Sequence, residues 1–378
     1  MRIERAFLVV LDSLGAGEAP DAEKFGDVGA HTLRSLYNTG ILDIPNLRRL
    51  GIGNIDGLDF LGTEKAPTAS VARLCELSAD KDTTTGHWEM CGHVSVAPMP
   101  TFPKGFPTEI VDRLQAAWGR EMICNKPYSG TAVIADYGEE HLRSGKLIVY
   151  TSADSVLQIA AHTDVVSLEE LYGYCESARE IMSGEKYGVG RIIARPFEGQ
   201  IGSFKRTADR RDFSLTPPEG LLADRLMAAG YDTVAVGKIS DIFADRGFTQ
   251  SVHTHSNDEG MSVCSEYQGK DFQGLCFVNL VDFDTLWGHR RDAAAYAEGL
   301  NTFDRWLGEF LKKMRRTDML IITADHGCDP CFTETTDHTR EYVPCIIYTP
   351  DTPPENYGTM KGFSFVGKTV ADALGVDF

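Results

Sequence analysis

Asp12 and the pair Asp325-His326 each stand directly behind an apolar run, residues 6–11 and 319–324. His338 follows twelve residues after His326, and a third apolar run, 275–281, opens into Asp282, Asp284 and His289. Carboxylates and imidazoles at strand tips, with no thiol among them, make a donor set suited to Mn²⁺ or a similar divalent ion. Taken alone, Asp284 and His289 fit two ligands of one ion and equally well a satisfied polar turn. Beside Asp12, Asp325, His326 and His338 the turn reading weakens, because each strand end would need a separate reason to carry ligand-type residues. Two divalent ions about 3.5–4 Å apart clamp the attacking and leaving oxygens of a transferred phosphoryl group.

A nucleophile is also in view. Lys81-Asp82-Thr83-Thr84-Thr85-Gly86-His87-Trp88 makes a poor helix interior but a good helix start, where free N–H groups and the dipole favour an anion. A metal-bound threonine hydroxyl at such a place can be deprotonated and attack. On spacing alone, a cluster of N-capping threonines is the simpler reading.

These residues need a scaffold, and the apolar pattern supplies one. Strand-like runs at 6–11, 232–237, 275–281, 319–324 and 344–348 alternate with helical stretches at 218–229 and 293–316, the latter with Tyr296, Leu300, Phe303, Leu307, Phe310 and Leu311 at helical spacing. Strand alternating with helix implies an α/β fold, a doubly wound, mostly parallel sheet flanked by helices, which places ligands at its carboxyl edge. Proline-rich punctuation at Pro98, Pro100, Pro103 and Pro107 and again at Pro217-Pro218 marks an inserted domain. The predicted division is a catalytic core of residues 1–98 and 217–378 and an α+β cap of residues 99–216. The cap has helices near 107–118 and 167–183 and strands near 146–151 and 189–195.

Composition narrows the function classes. At 42% hydrophobic and 24% charged the 378 residues read as an ordinary globular protein with room for two or three domains. No apolar stretch approaches a membrane span, and the first residues do not read as a signal peptide. Nine irregularly spaced cysteines suit reduced thiols in a cytoplasm. The net charge of −18 argues against a nucleic-acid partner and means that a phosphate site must be locally positive. Residues 186–211 meet that need: Lys186, Arg191, Arg195, Lys205, Arg206, Arg210 and Arg211 stand against only Glu198 and Asp209. Arginine forks suit phosphate oxygens, although for any one of these residues a solvated surface role is the simpler reading.

Together the motifs resemble the phosphopentomutases, in the alkaline-phosphatase superfamily that also holds cofactor-independent phosphoglycerate mutase. The matching segments are Leu11-Asp12-Ser13, Lys81-Asp82-Thr83-x-Thr85-Gly86-His87-Trp88-Glu89, Tyr150 through Gln158, Asp282-Phe283-Asp284 with Gly288-His289-Arg290-Arg291, Thr323 through Gly327, and Thr336 through Glu341. They span nearly the whole chain in the family's order. The resemblance implies an alkaline-phosphatase-like core and an isomerase that interconverts ribose 1-phosphate and ribose 5-phosphate, or the 2-deoxyribose equivalents. It implies Thr83 as the phosphorylated nucleophile and a pentose 1,5-bisphosphate intermediate, with a sugar bisphosphate as activator. One Mn²⁺ would lie on Asp284, His289 and His338 and a second on Asp12, Asp325 and His326. Ser152 and Asp154 would contact the sugar, and Lys238 resembles the family's phosphate-holding lysine; from the basic stretch of the cap, Arg191 and Arg206 are the candidates for phosphate. The expected partner is a small pentose phosphate, with no nucleic acid, membrane or obligate protein partner. Two rivals share the metal core: a phosphohydrolase or phosphodiesterase, and a non-catalytic metal-binding module.

One segment departs from the family pattern. Cys328-Asp329-Pro330-Cys331 directly follows the Asp325-His326 motif, where a polar residue such as Asn is expected at 328. The spacing suits a zinc pair or a redox pair, yet structural zinc needs four ligands and no second pair lies nearby. The sequence alone therefore favours a plain structural role and leaves oxidation sensitivity open.

Overall fold

The computed structural model describes residues 2–152, 154–335 and 337–378. Their contacts divide the chain into two compact units, Met1–Val96 with Pro217–Phe378, and Ala97–Thr216. The first unit carries an eight-stranded sheet in the order Gln250–Val252, Asp232–Val236, Gly274–Leu280, Arg5–Leu11, Asp318–Thr323, Val343–Tyr348, Ser70–Cys75, Asn356–Lys361. The first five strands run parallel, and Val343–Tyr348 lies antiparallel to both neighbours. Every residue of Arg5–Leu11, Gly274–Leu280 and Asp318–Thr323 is buried, as a parallel sheet covered on both faces requires. Register sets the function of this sheet. Leu11 pairs with Leu280 and Val10 with Thr323, so residues 12, 281–284 and 324–326 all emerge at one edge.

The helix Ala293–Lys312 buries Tyr296, Leu300, Phe303, Leu307, Phe310 and Leu311, and Asp292 caps it by accepting from Ala295 N–H at 2.9 Å. It stops four residues short of the predicted end at 316 because Asp318 Oδ2 takes the Arg315 N–H at 2.8 Å and turns the chain into the next strand. The strands Ser70–Cys75, whose short apolar stretch is broken by Arg73, and Asn356–Lys361, which is largely polar, escape the sequence pattern. No helix among the described residues is long and apolar enough to cross a membrane.

The second unit has its own sheet, ordered Met122–Pro127, Leu147–Thr151, Val156–His162, Arg191–Glu198, Lys205–Arg206, with Arg211–Ser214 also paired to Arg191–Glu198. Alternation along the strands splits its faces. Leu147, Val149, Leu157, Ile159, Ile192 and Ala194 pack in one cluster with the helices Thr108–Trp118 and Leu168–Ile181, and Ile148, Tyr150 and Ala160 pack in a second with Ala132–Ser144. Ser167 and Glu170 form a capping box at the start of Leu168–Ile181. Met122–Pro127, Val156–His162 and Ala132–Ser144 are additions to the elements predicted for this region.

Candidate active site

The carboxyl edge of the first unit's sheet gathers six ligand-type residues into two sets. Asp284, His289 and His338 each present one donor atom within 4.8 Å of the others, and Asp12, Asp325 and His326 do the same. His326 Nε2 lies 3.4 Å from Asp12 Oδ1 and 3.3 Å from Asp325 Oδ2, while Asp284 faces His289 Nε2 at 3.4 Å and His338 Nε2 at 3.5 Å. Donor atoms each about 2.1 Å from a shared ion stand roughly 3.0–3.5 Å apart, so these separations are those of co-ligands rather than of hydrogen-bonded pairs. The two sets adjoin: the His326 and His338 rings stack with centroids 3.8 Å apart.

The chemistry of the donors agrees. Asp12 Oδ1, Asp325 Oδ2 and Asp284 Oδ1 are buried without a hydrogen-bond donor. At the opposite edge of the same sheet, by contrast, buried Asp318 has both oxygens taken by Arg5, at 2.8 and 2.7 Å. Buried charge is tolerated where it is paired or holds a metal, and the three orphan oxygens all point at an imidazole Nε2. His326 and His338 turn their Nδ1 atoms to the carbonyls of Gly327 (3.1 Å) and Lys81 (3.0 Å), and His289 Nδ1 faces Cys328 Sγ at 4.0 Å. That arrangement fixes the ring orientation and leaves Nε2 for a cation.

Protonation of the groups themselves follows from crowding. Burial would raise Asp284, but His338 and His289 outweigh it and hold the carboxyl below its usual range. Burial likewise opposes the depression of Asp325, which His326 and His87 bring about. Asp12 is raised, by burial first and by Asp325 second. His289 is pushed up to about 12 by Asp284. His326 rises well above its ordinary value because Asp325 and Asp12 overcome its burial. His338 falls to about 4 through burial and the neighbouring His326.

The helix Thr83–Met90 delivers the hydroxyl. Its cap is Asp82, whose carboxylate accepts from Thr84 N–H (2.8 Å), Thr85 N–H (3.1 Å) and the Thr85 hydroxyl (2.7 Å). The capping role is thus taken by a carboxylate, and Thr83 is released from it. Thr83 Oγ1 lies instead 3.0 Å from His326 Nε2. Gly86 permits the approach, since a Cβ there would sit 2.1 Å from the Asp325 carbonyl oxygen. We expect Gly86→Ala to force helix and strand end apart, costing about 1–3 kcal/mol and most of the turnover. Urea unfolding read beside a rate assay checks this, and wild-type values in both would remove Gly86 from that role.

Several residues at the edge carry no ligand signature in the sequence. Asn279 donates to Asp12 Oδ2 at 2.9 Å. Ser13, at a left-handed φ of 70°, donates its N–H to Asp325 Oδ1 at 3.0 Å. His87 gives Nδ1 to the Thr83 carbonyl (2.8 Å), and the same atom lies 3.3 Å from Asp325 Oδ2. Its signal was its place four residues after Thr83, on the same helix face. Arg340 is buried and binds Glu76 (2.5 Å), Asp21 (3.0 and 3.1 Å) and the carbonyls of Glu76, Ser78 and Asp80. It thereby clamps the segment that leads into Thr83 and supplies the Lys81 carbonyl to His338. Removing one partner of a buried pair costs about 3–5 kcal/mol, so Arg340→Ala is expected to lower the unfolding free energy by that amount. A loss below 1 kcal/mol in urea titration would refute the clamp.

The remaining predicted residues fall on both units. Lys238 follows the strand Asp232–Val236 at the same edge and exerts a charge effect on Asp12. In the second unit Ser152 and Asp154 follow Leu147–Thr151, and Asp154 N–H donates to Ser152 Oγ at 3.3 Å. Arg191 pairs in register with Val156 and so starts its strand at that same end. Arg206 enters elsewhere, opposite Phe197, although its guanidinium runs back toward Tyr150: a Cβ on Gly130 would lie 3.1 Å from Tyr150 Oη and 3.2 Å from Arg206 Nη1.

The sequence profile of the Metalloenzyme superfamily matches residues 4–378, which places the chain among metal-dependent enzymes of that class. The phosphopentomutase of Lachnoclostridium phytofermentans is 52% identical over 376 residues, covering 99% of this chain and 96% of that protein. The phosphopentomutase of Clostridium novyi is 50% identical over 377 residues, with 99% and 96% covered. The chain belongs to the phosphopentomutase family and is accordingly an isomerase of the mutase type.

Proposed function

We propose that this enzyme interconverts ribose 1-phosphate and ribose 5-phosphate, and the 2-deoxyribose pair, through phospho-Thr83 and a pentose 1,5-bisphosphate. The observation that carries the reading is Thr83 Oγ1, freed from capping and 3.0 Å from Nε2 of His326, a member of one donor set whose ring stacks on His338 of the other. Asp284, His289 and His338 would hold one divalent cation and Asp12, Asp325 and His326 a second, which would supply positive charge against a phosphoryl group and acidify the threonine hydroxyl. Mn²⁺ suits the mixed carboxylate and imidazole donors.

Phospho-Thr83 donates to the free hydroxyl of the bound pentose phosphate. After the resulting bisphosphate turns over, its other phosphate returns to Thr83. Ser152 and Asp154 are assigned to the sugar and Arg191, Arg206 and Lys238 to phosphate, with residues 99–216 serving as the cap that keeps water from the phosphoenzyme. The reading places the enzyme in the cytoplasm, primed by a sugar bisphosphate, with no nucleic acid, membrane or obligate protein partner.

The test is ³¹P NMR of purified enzyme with Mn²⁺, ribose 5-phosphate and a trace of ribose 1,5-bisphosphate. A ribose 1-phosphate resonance is the expected product. Inorganic phosphate in its place would favour the hydrolase.

A further inference from the structure

Cys328 and Cys331 have no part in the phosphoryl chemistry, yet one of them touches its machinery. Cys328 is buried, with Sγ 4.0 Å from His289 Nδ1 and 3.9 Å from the Asp337 carbonyl. It packs against the π-helical turn Phe283–Gly288 that carries Asp284, since a Cβ on Gly288 would meet its sulfur at 3.0 Å. Cys331, three residues on, is exposed. The chain reverses between them: Phe332 N–H donates to the Asp329 carbonyl at 3.2 Å, with Pro330 at the second position of the turn. Asp329 anchors that turn, accepting from Cys331 N–H at 2.9 Å and His31 N–H at 2.8 Å.

The histidines differ in how they are held. His326 and His338 turn Nδ1 to backbone carbonyls, which no redox chemistry moves. His289 turns Nδ1 to a sulfur that has a second thiol three residues away. We propose that Cys331 and Cys328 form a peroxide-oxidisable dithiol whose closure draws the sulfur away from His289 and loosens the cation held by Asp284, His289 and His338. The second half of this rests on the metal assignment made above; the first half does not.

Peroxide meets the exposed thiol first. Cys331–SH and H₂O₂ give Cys331–SOH and water, and the Cys328 thiol then displaces the sulfenic oxygen as a second water, leaving the disulfide. Two thiols are oxidised by two electrons and one peroxide is reduced. A dithiol reductant reverses the step. Losing a partner of a ligating histidine typically weakens metal binding 10–100-fold.

The experiment treats the Mn²⁺-loaded enzyme with hydrogen peroxide, alkylates the remaining thiols and digests with trypsin. The peptide 317–340 contains Cys328 and Cys331 and no other cysteine. We expect it to lose about 2 Da, the mass of two hydrogens, reversibly with dithiothreitol. Desalted oxidised enzyme should retain about one cation fewer than reduced enzyme and should recover its rate in excess Mn²⁺. Cys331→Ser and Cys331→Ala, both at an exposed position, should keep wild-type basal activity and full metal content after peroxide. Two alkylated cysteines in that peptide after oxidation would overturn the dithiol. A disulfide with unchanged metal content would overturn its coupling to His289. A reduced enzyme that holds no cation would count against the metal assignment instead.

Discussion

Thr83→Ala is expected to lower mutase turnover by at least about 10⁴-fold, the scale seen when a nucleophile is removed from a machinery that acts as a unit. The structure separates this effect from misfolding. Asp82 satisfies the first amides of the helix, so the Thr83 hydroxyl contributes nothing to its cap. Alanine is also the better helix former, and the stability lost should be no more than that of the one buried contact with His326, about 0.5–1.5 kcal/mol. Thr83→Ser keeps the oxygen and gives up only a methyl group, so it should retain a measurable share of the rate. A phosphate-transfer experiment completes the case: radiolabel from a sugar bisphosphate should appear on wild type and Thr83→Ser and be absent from Thr83→Ala. Label on the alanine variant, or near wild-type turnover, would move the nucleophile elsewhere.

The part of this site that the sequence announces is the part that strands deliver. Residues 6–11, 275–281 and 319–324 are apolar runs because both faces of a parallel sheet are covered, and the polarity that ends them is visible against that background. Thr83 was ambiguous for a different reason. A threonine beside Asp82 can cap or catalyse, and only the geometry tells which residue the amides chose. Asn279 was hidden inside a strand run, although a buried amide in such a run is itself a sign of a partner. Arg340 was hidden by topology: its partners Glu76 and Asp21 lie 264 and 319 positions away, a distance that no local pattern spans. Met122–Pro127 offers only a short apolar stretch, Met122, Ile123 and Cys124, all half-buried, and it gains strand character from pairing with Leu147–Thr151.

Metal removal should have an effect as large as loss of the nucleophile, and its pH dependence follows from the histidines. Chelation is expected to abolish turnover and Mn²⁺ to restore it. Bound at 100 times its dissociation constant, each ion stabilises the fold by about 2.7 kcal/mol, so a chelated sample should melt several degrees lower. The sign of the pH effect is fixed by the proton that each Nε2 must surrender. In the metal-free site His289, up at about 12, and His326, raised well above its ordinary value, are protonated at pH 7.5, whereas His338, down at about 4, is already neutral. Each donor set contains one of the two protonated histidines. Loading should therefore release about one proton per ion, and each dissociation constant should weaken about tenfold per unit fall in pH. Titration calorimetry in buffers of different ionisation enthalpy counts those protons. Release near zero at pH 7.5 would mean that the imidazoles already face the ion unprotonated, and that the carboxylates do not control them as their 3.3–3.5 Å separations imply.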